Sequence, residues 1–126
     1  MESLNATVQA ALHASNLNGT LPSEVEVVLA SHVHVSEVLS FSGGRPPEFT
    51  IGNGGTKMLP TVTDGLLEVP IDSQTATNAT MLEAVHGFFG FTPHPSGGWR
   101  AEVLDVRGET IASCSINDKQ ALCQSR

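Results

Sequence analysis

Basic residues are scarce in this chain of 126 residues. Six Lys and Arg side chains stand against 13 Asp and Glu, which gives a net charge of −7. The six cations are spread along the chain and form no cluster: Arg45, Lys57, Arg100, Arg107, Lys119 and Arg126. Such a chain would repel a phosphate backbone unless its few cations were concentrated on one patch. We therefore expect no nucleic-acid partner.

Long apolar runs are also missing. No stretch approaches the roughly 18 apolar residues of a membrane helix, and the first twenty residues lack the basic start and apolar run of a signal peptide. We expect no membrane partner, and localisation stays open between the cytoplasm and export as part of a longer precursor. The apolar fraction of 40% and charged fraction of 15% predict that residues 1–126 form one compact domain or domain fragment.

The chain has only two cysteines, Cys114 and Cys123, on either side of the turn-like run 117–120. If Asp118-Lys119 is a two-residue hairpin loop, the cysteines face each other across the ladder, close enough for a disulfide. The missing export signal argues for a reducing compartment, whereas the pairing suits an oxidising one. The sequence therefore leaves the disulfide open.

Periodicity predicts an α+β fold. Helical spacing of apolar residues predicts an N-terminal helix from Ser3 to Ala14. Short β-branched or apolar runs then predict strands over 25–30, 35–41 and 48–52, and the polar stretch 56–80 predicts a long surface connection. From Leu82 to Cys123, four runs at about ten-residue spacing predict an antiparallel meander, with Phe88, Phe89, Phe91 and Trp99 in its core.

Two histidines, His32 and His34, follow the first predicted strand. Residues at i and i+2 point the same way if the backbone is extended, so both imidazoles can face one metal ion. The alternative is two partly exposed histidines hydrogen-bonded to loop carbonyls. The run Gly52-Asn53-Gly54-Gly55 matches no phosphate-loop pattern, and we interpret it as a turn.

Several segments share one family pattern. They are residues 26–34, which end in Ala30-Ser31-His32-Val33-His34, then 39–47, 51–56, the aromatic run 88–91, and 98–108 leading into the last hairpin. In this order they resemble the C-terminal part of bacterial calcineurin-like metallophosphoesterases, whose last metal motif is Gly-His-x-His. Ser31 stands where the family has glycine. The resemblance covers most of this chain but only about the last third of such an enzyme.

The resemblance implies a fold, a metal site and a substrate class. The strands would be equivalent to the C-terminal part of an αββα sandwich. His32 would bind one divalent ion of a two-metal centre and His34 the other, and the centre would hydrolyse phosphate mono- or diesters. The resemblance does not specify which divalent metal ions would be bound.

The other ligands of that family are missing. No Asp-x-His, Gly-Asp-x-x-Asp or Gly-Asn-His-Asp/Glu motif occurs in the chain. Since two adjacent cations need a bridging carboxylate, we expect no catalysis by this chain alone and a phosphate-ester substrate only if another polypeptide supplies the missing half. An uncovered sheet face and edge would favour self-association or such a complementing chain. The alternative function is a non-catalytic β-rich interaction or structural module, which needs neither His32 nor His34.

Overall fold

The structure, a computed structural model, describes residues 21–31, 34–55, 57–58, 70–71, 74–82 and 85–125, and separately residues 7, 10, 11 and 14. Within this part the elements are nine strands in two sheets. The strands are β1 Val28–Ala30, β2 Ser36–Phe41, β3 Glu48–Ile51, β4 Pro70–Ile71, β5 Gln74–Met81, β6 Gly87–Pro93, β7 Trp99–Asp105, β8 Thr110–Asn117 and β9 Gln120–Ser125.

The first sheet has the strand order β1-β3-β2-β5-β4. Strands β1 and β3 run parallel, with Ala30 opposite Thr50, whereas β2 is antiparallel to both of its neighbours. Glu37 is the one residue of β2 that is not buried. Because β2 is buried on both faces, its sequence lacks the apolar–polar alternation of a half-exposed strand.

The second sheet is an antiparallel meander in the order β6-β7-β8-β9. In β7 the residues Ala101, Val103 and Asp105 are buried and those between them are more exposed, as expected for a strand with one face on the core. The carboxylate of Asp105 closes the next turn by accepting hydrogen bonds from the N–H groups of Arg107 at 2.8 Å and Glu109 at 2.9 Å. The predicted meander is confirmed, although its first strand begins at Gly87.

The two sheets share a core that is centred on Phe49 of β3. This ring is fully buried, and its centroid lies 6.1 Å from that of Phe89 and 5.3 Å from that of Phe91, both edge to face. Such aromatic pairs contribute about 0.5–1.5 kcal/mol each beyond the burial of their area. Trp99 also packs on this core, whereas Phe88, which the sequence places with it, is 53% exposed.

The predicted α+β fold class is wrong. The described elements are all strands, no N-terminal helix is among them, and the expected equivalence with part of an αββα sandwich falls with it. The predicted helix from Ser3 to Ala14 lies outside the described residues, apart from four separate positions. The predicted connection over 56–80 is wrong at Gln74–Met81, where β5 pairs with β2. That strand has no apolar alternation, so its pairing depends on β2 and not on a local pattern.

The β8–β9 hairpin turns at Asp118 and Lys119, which have φ of 47° and 60°. Two consecutive positive φ values give the tight turn whose twist matches that of paired strands. Cys114 lies opposite Cys123, and their sulfur atoms are bonded at a sequence separation of 9. The disulfide therefore joins the edge strand β9 to its neighbour.

Removing the disulfide should destabilise the protein. We expect Cys114→Ala/Cys123→Ala to lower the free energy of unfolding by about 2–3 kcal/mol, because a cross-link over a loop of this size restricts the unfolded chain. Urea unfolding followed by Trp99 fluorescence measures the change. The control is Ser113→Ala/Gln124→Ala, the neighbouring pair across the same two strands, with an expected change within about 0.5 kcal/mol. Equal midpoints for the oxidised protein and the cysteine variant would contradict this expectation.

Gly87 should tolerate no side chain. A Cβ at this position would lie 1.8 Å from the carbonyl oxygen of Leu104, whereas a Cβ at Gly90 in the same strand would meet only the Leu104 side chain at 3.8 Å. We expect Gly87→Ala to lower the free energy of unfolding by about 1–3 kcal/mol, because the backbones of β6 and β7 must separate. Gly90→Ala, the control, should change it by less than about 1 kcal/mol. Similar urea midpoints for the two variants would show that the close approach is absent.

Candidate functional site

The two parallel strands end at the same edge of the first sheet. The chain that follows β1 is tied to the chain that follows β3 by two contacts. The hydroxyl of Ser31 donates to the carbonyl of Ile51 at 3.2 Å, and the N–H of Gly52 donates to the carbonyl of Val35 at 2.9 Å. Ligand sites commonly form beyond the carboxyl ends of parallel strands. This edge is therefore the part of the fold suited to hold the predicted metal ligands.

The strand-end site, which we define as residue 31, residues 34–36 and residues 51–55, contains one of the two predicted ligands. His34 is half-buried, and its imidazole has no hydrogen-bond partner among the described residues. Such a ring keeps a nitrogen lone pair that is free to bind a metal ion. His32 lies outside the described residues. The structure thus places His34 at this edge and leaves its pairing with His32 a prediction.

Two buried polar side chains, Ser36 and Asn53, lie at the same site. Asn53 is fully buried and its Nδ2 donates to the carbonyl of Val85 at 3.4 Å, while its own carbonyl accepts from the N–H of Gly87 at 3.0 Å. The Oδ1 of Asn53 and the hydroxyl of Ser36 have no hydrogen-bond partner among the described residues. A buried polar atom without a partner costs about 1–3 kcal/mol, and one accepted reason for its retention is a bound water or ion.

Glu37 lies directly beyond the strand-end site, opposite Thr50 of β3. Burial and the nearby carboxylate of Glu48 both raise the pKa of Glu37 above its ordinary value. Glu48 is itself paired with Arg45 at 3.3 Å. A carboxyl group whose pKa is perturbed in this way, three residues from a candidate ligand, is typical of functional sites.

Sequence reasoning missed the polar residues of this site. The run around Asn53 has the composition of a turn, and nothing local shows that the Asn53 side chain is fully buried and hydrogen-bonded to the carbonyl of Val85. The sequence feature that could have identified Glu37 is its charge, because it lies inside the apolar run 35–41. Such a residue is a sign of function when its strand is buried on both faces.

The described residues do not by themselves fit a two-metal centre. Among them, no group of three or more His, Cys, Asp or Glu side chains is arranged to hold a metal ion. His34, Ser36 and Asn53 offer one nitrogen and neutral oxygens, whereas two cations about 3.5–4 Å apart need a bridging carboxylate. No catalytic step is therefore assigned to these residues alone.

The other histidines occupy different positions. His86 is exposed beside the start of β6, and His94 is exposed in the turn after β6, where its Nδ1 lies 2.7 Å from the hydroxyl of Ser96. His13 lies outside the described residues. His94 and Ser96 therefore form a local turn contact at the far end of β6 from Asn53.

No family model, curated protein or solved structure matches the chain. The resemblance to metallophosphoesterases thus stays a prediction from the sequence segments. The part of the chain that the structure describes holds no helix with the length and apolar character needed to cross a bilayer.

The ionised side chain of Glu37 should lower the free energy of unfolding of the protein at neutral pH. A raised pKa means that the folded protein binds the proton of Glu37 more tightly than the unfolded chain does. The stability that this proton contributes to the folded state is complete below the unfolded pKa and is lost as the pH rises through the folded pKa. We expect Glu37→Gln to raise the urea midpoint at pH 7, with a difference from wild type that shrinks toward about pH 4. Glu24→Gln, at an exposed position, is the control and should leave the midpoint unchanged. A lower midpoint for Glu37→Gln at pH 7 would disprove this assignment.

Proposed function

We propose that this chain is a C-terminal segment of a calcineurin-like, metal-dependent phosphoesterase and supplies two of its ligands, His32 and His34. The observation that carries the proposal is the half-buried His34 at the carboxyl edge of the parallel pair β1–β3, without a hydrogen-bond partner among the described residues. Described parts of the segments that resemble the family lie at this edge: Ala30 ends β1, Ser31 follows it, and residues 52–55 follow β3. Imidazole nitrogens suit zinc, iron and other divalent transition metals.

The proposal assigns the bridging carboxylate to a second polypeptide. Strand β1 pairs with β3 on one side, and no described strand lies on its other side. Leu29 of β1 is 60% exposed, so one face of this strand is also uncovered by the described residues. A strand added here in parallel would bring its own carboxyl end, and acidic side chains that follow it, to the strand-end site. The bound ions would then supply Lewis acidity toward a phosphate mono- or diester.

A non-catalytic β-rich interaction or structural module is the second candidate. The shared core around Phe49 favours it, because the two described sheets enclose this core between them. Such a module has no use for a metal ion. The two candidates therefore differ in what His32 and His34 contribute.

Paramagnetic Mn²⁺ tests the metal proposal even if binding is weak. At sub-stoichiometric Mn²⁺, the amide NMR signals of 34–36 and 52–55 should lose most of their intensity, while those of the β8–β9 hairpin keep theirs. We expect His32→Ala/His34→Ala to weaken Mn²⁺ binding at least about tenfold, because it removes both predicted nitrogen ligands.

The control is His86→Ala/His94→Ala, which removes the same number of imidazoles and should bind Mn²⁺ like the wild type. Loss of signal that is uniform along the chain, or equal in both double variants, would overturn the metal proposal and favour the non-catalytic module.

If the selective effect is found, hydrolysis of p-nitrophenyl phosphate should appear on addition of an N-terminal half that carries the family's acidic motifs, and only with His32 and His34 intact.

A further inference from the structure

The described sheets end in four edge strands, and three of them are short or covered. Strand β1 has three residues and β4 has two. Strand β9 is covered at Ala121, because the hydroxyl of Ser40 accepts from its N–H at 3.0 Å and donates to its carbonyl at 3.1 Å. Gln120 is held beside it by a 2.7 Å hydrogen bond to the carbonyl of Phe41. Short length and partial cover limit the number of backbone hydrogen bonds that an added chain can form at these edges.

Strand β6 is the fourth edge and has no such protection along its middle. Its seven residues, Gly87–Pro93, carry no charge. Phe88 is 53% exposed on one face, and Phe89 and Phe91 are half-buried on the other, against Phe49. A flat, apolar, uncharged edge strand is the type that adds a further strand.

The hydrogen bonds at the two ends of β6 show which backbone groups face outward. His94 donates its N–H to the carbonyl of Gly98 across the β6–β7 ladder, whereas Gly87 donates its N–H away from β7, to the carbonyl of Asn53. In an antiparallel ladder the bonding alternates from one residue to the next. The N–H and carbonyl groups of Phe89 and Phe91 therefore point away from β7, toward no described strand.

We propose that β6 is a homodimer interface, in which two copies of the chain pair through antiparallel β6 strands around a two-fold axis at Gly90. In this register Phe89 of one copy lies opposite Phe91 of the second copy, and each pair exchanges two hydrogen bonds. The N–H and carbonyl groups of Phe89 and Phe91 are then all satisfied in each copy. The observations behind this proposal do not include the metal proposal, which concerns the other sheet.

A second copy fits this edge better than an unrelated strand because the outward groups are symmetric about Gly90. The pairing is also limited at both ends, since the N–H of Gly87 is already bonded to Asn53 and Pro93 has no N–H. Gly90 falls where the two backbones approach most closely, as a non-hydrogen-bonded pair. No charged side chain of β6 opposes contact, although the net charge of −7 on each chain does. Added salt should therefore strengthen the dimer.

Site-specific cross-linking tests the register. Position 90 lies opposite itself across the proposed axis, with Cα atoms about 4.5 Å apart, so Gly90→Cys should form a disulfide-linked dimer as its main product on mild oxidation. Thr92→Cys is the matched control, because its two copies would be about 14 Å apart along the strands. The native cysteines are already bonded to each other, so the introduced thiol is the one that reacts. Equal cross-linking at both positions would overturn the proposal.

Sedimentation equilibrium gives a second, independent measurement. The wild type should show a reversible monomer–dimer equilibrium that shifts toward the dimer with salt. Gly90→Lys places like charges directly opposite each other and should weaken dimerisation at least about fivefold relative to Thr92→Lys, which adds the same charge opposite Phe88. Unfolding curves of both variants check that the monomer is intact. A wild type that stays monomeric, or that grows into open-ended oligomers, would contradict a closed two-fold pair.

Discussion

The contact of Phe49 with Phe89 and Phe91 joins the two sheets, and both of the proposed surfaces lie on the strands that carry these rings. Phe49 lies in the middle of β3, and the strand-end site begins two residues later at Ile51. The two partner rings belong to β6, whose outer edge we propose as the dimer interface. Because the ring cluster lies between the sheets, it packs β6 against the strand that leads into the strand-end site.

The features of the fold that the sequence could predict are those that depend on residues close together in the chain. The meander and its last hairpin follow from alternating burial and from a two-residue turn, both of which are properties of neighbouring residues. Strand β5 could not be predicted in this way, since its pairing comes from β2, nearly forty residues earlier in the chain. His34 was identified because a motif is local, whereas the enclosure of Asn53 depends on the carbonyl of Val85, 32 residues away.

The strand-end site and the adjacent Glu37 keep features that lower stability. The half-buried Glu37 has a neighbouring carboxylate, and the buried oxygens of Ser36 and Asn53 have no partner among the described residues. Elsewhere in the described chain a buried polar group such as Asp105 is satisfied by three hydrogen bonds. Buried polar and charged groups without satisfied pairing, when several of them lie at one place in a fold, are expected at sites of function.

The two surfaces are connected through Asn53. Its main-chain carbonyl holds the N–H of Gly87, while its side chain lies within the strand-end site. If that hydrogen bond opened, the N–H of Gly87 would become a further outward donor of β6. Two β6 strands could then pair in registers other than the one centred on Gly90 and still match their donors and acceptors. The contact therefore restricts the register of β6. A change in the backbone at Asn53 would therefore reach the proposed dimer edge through this one hydrogen bond.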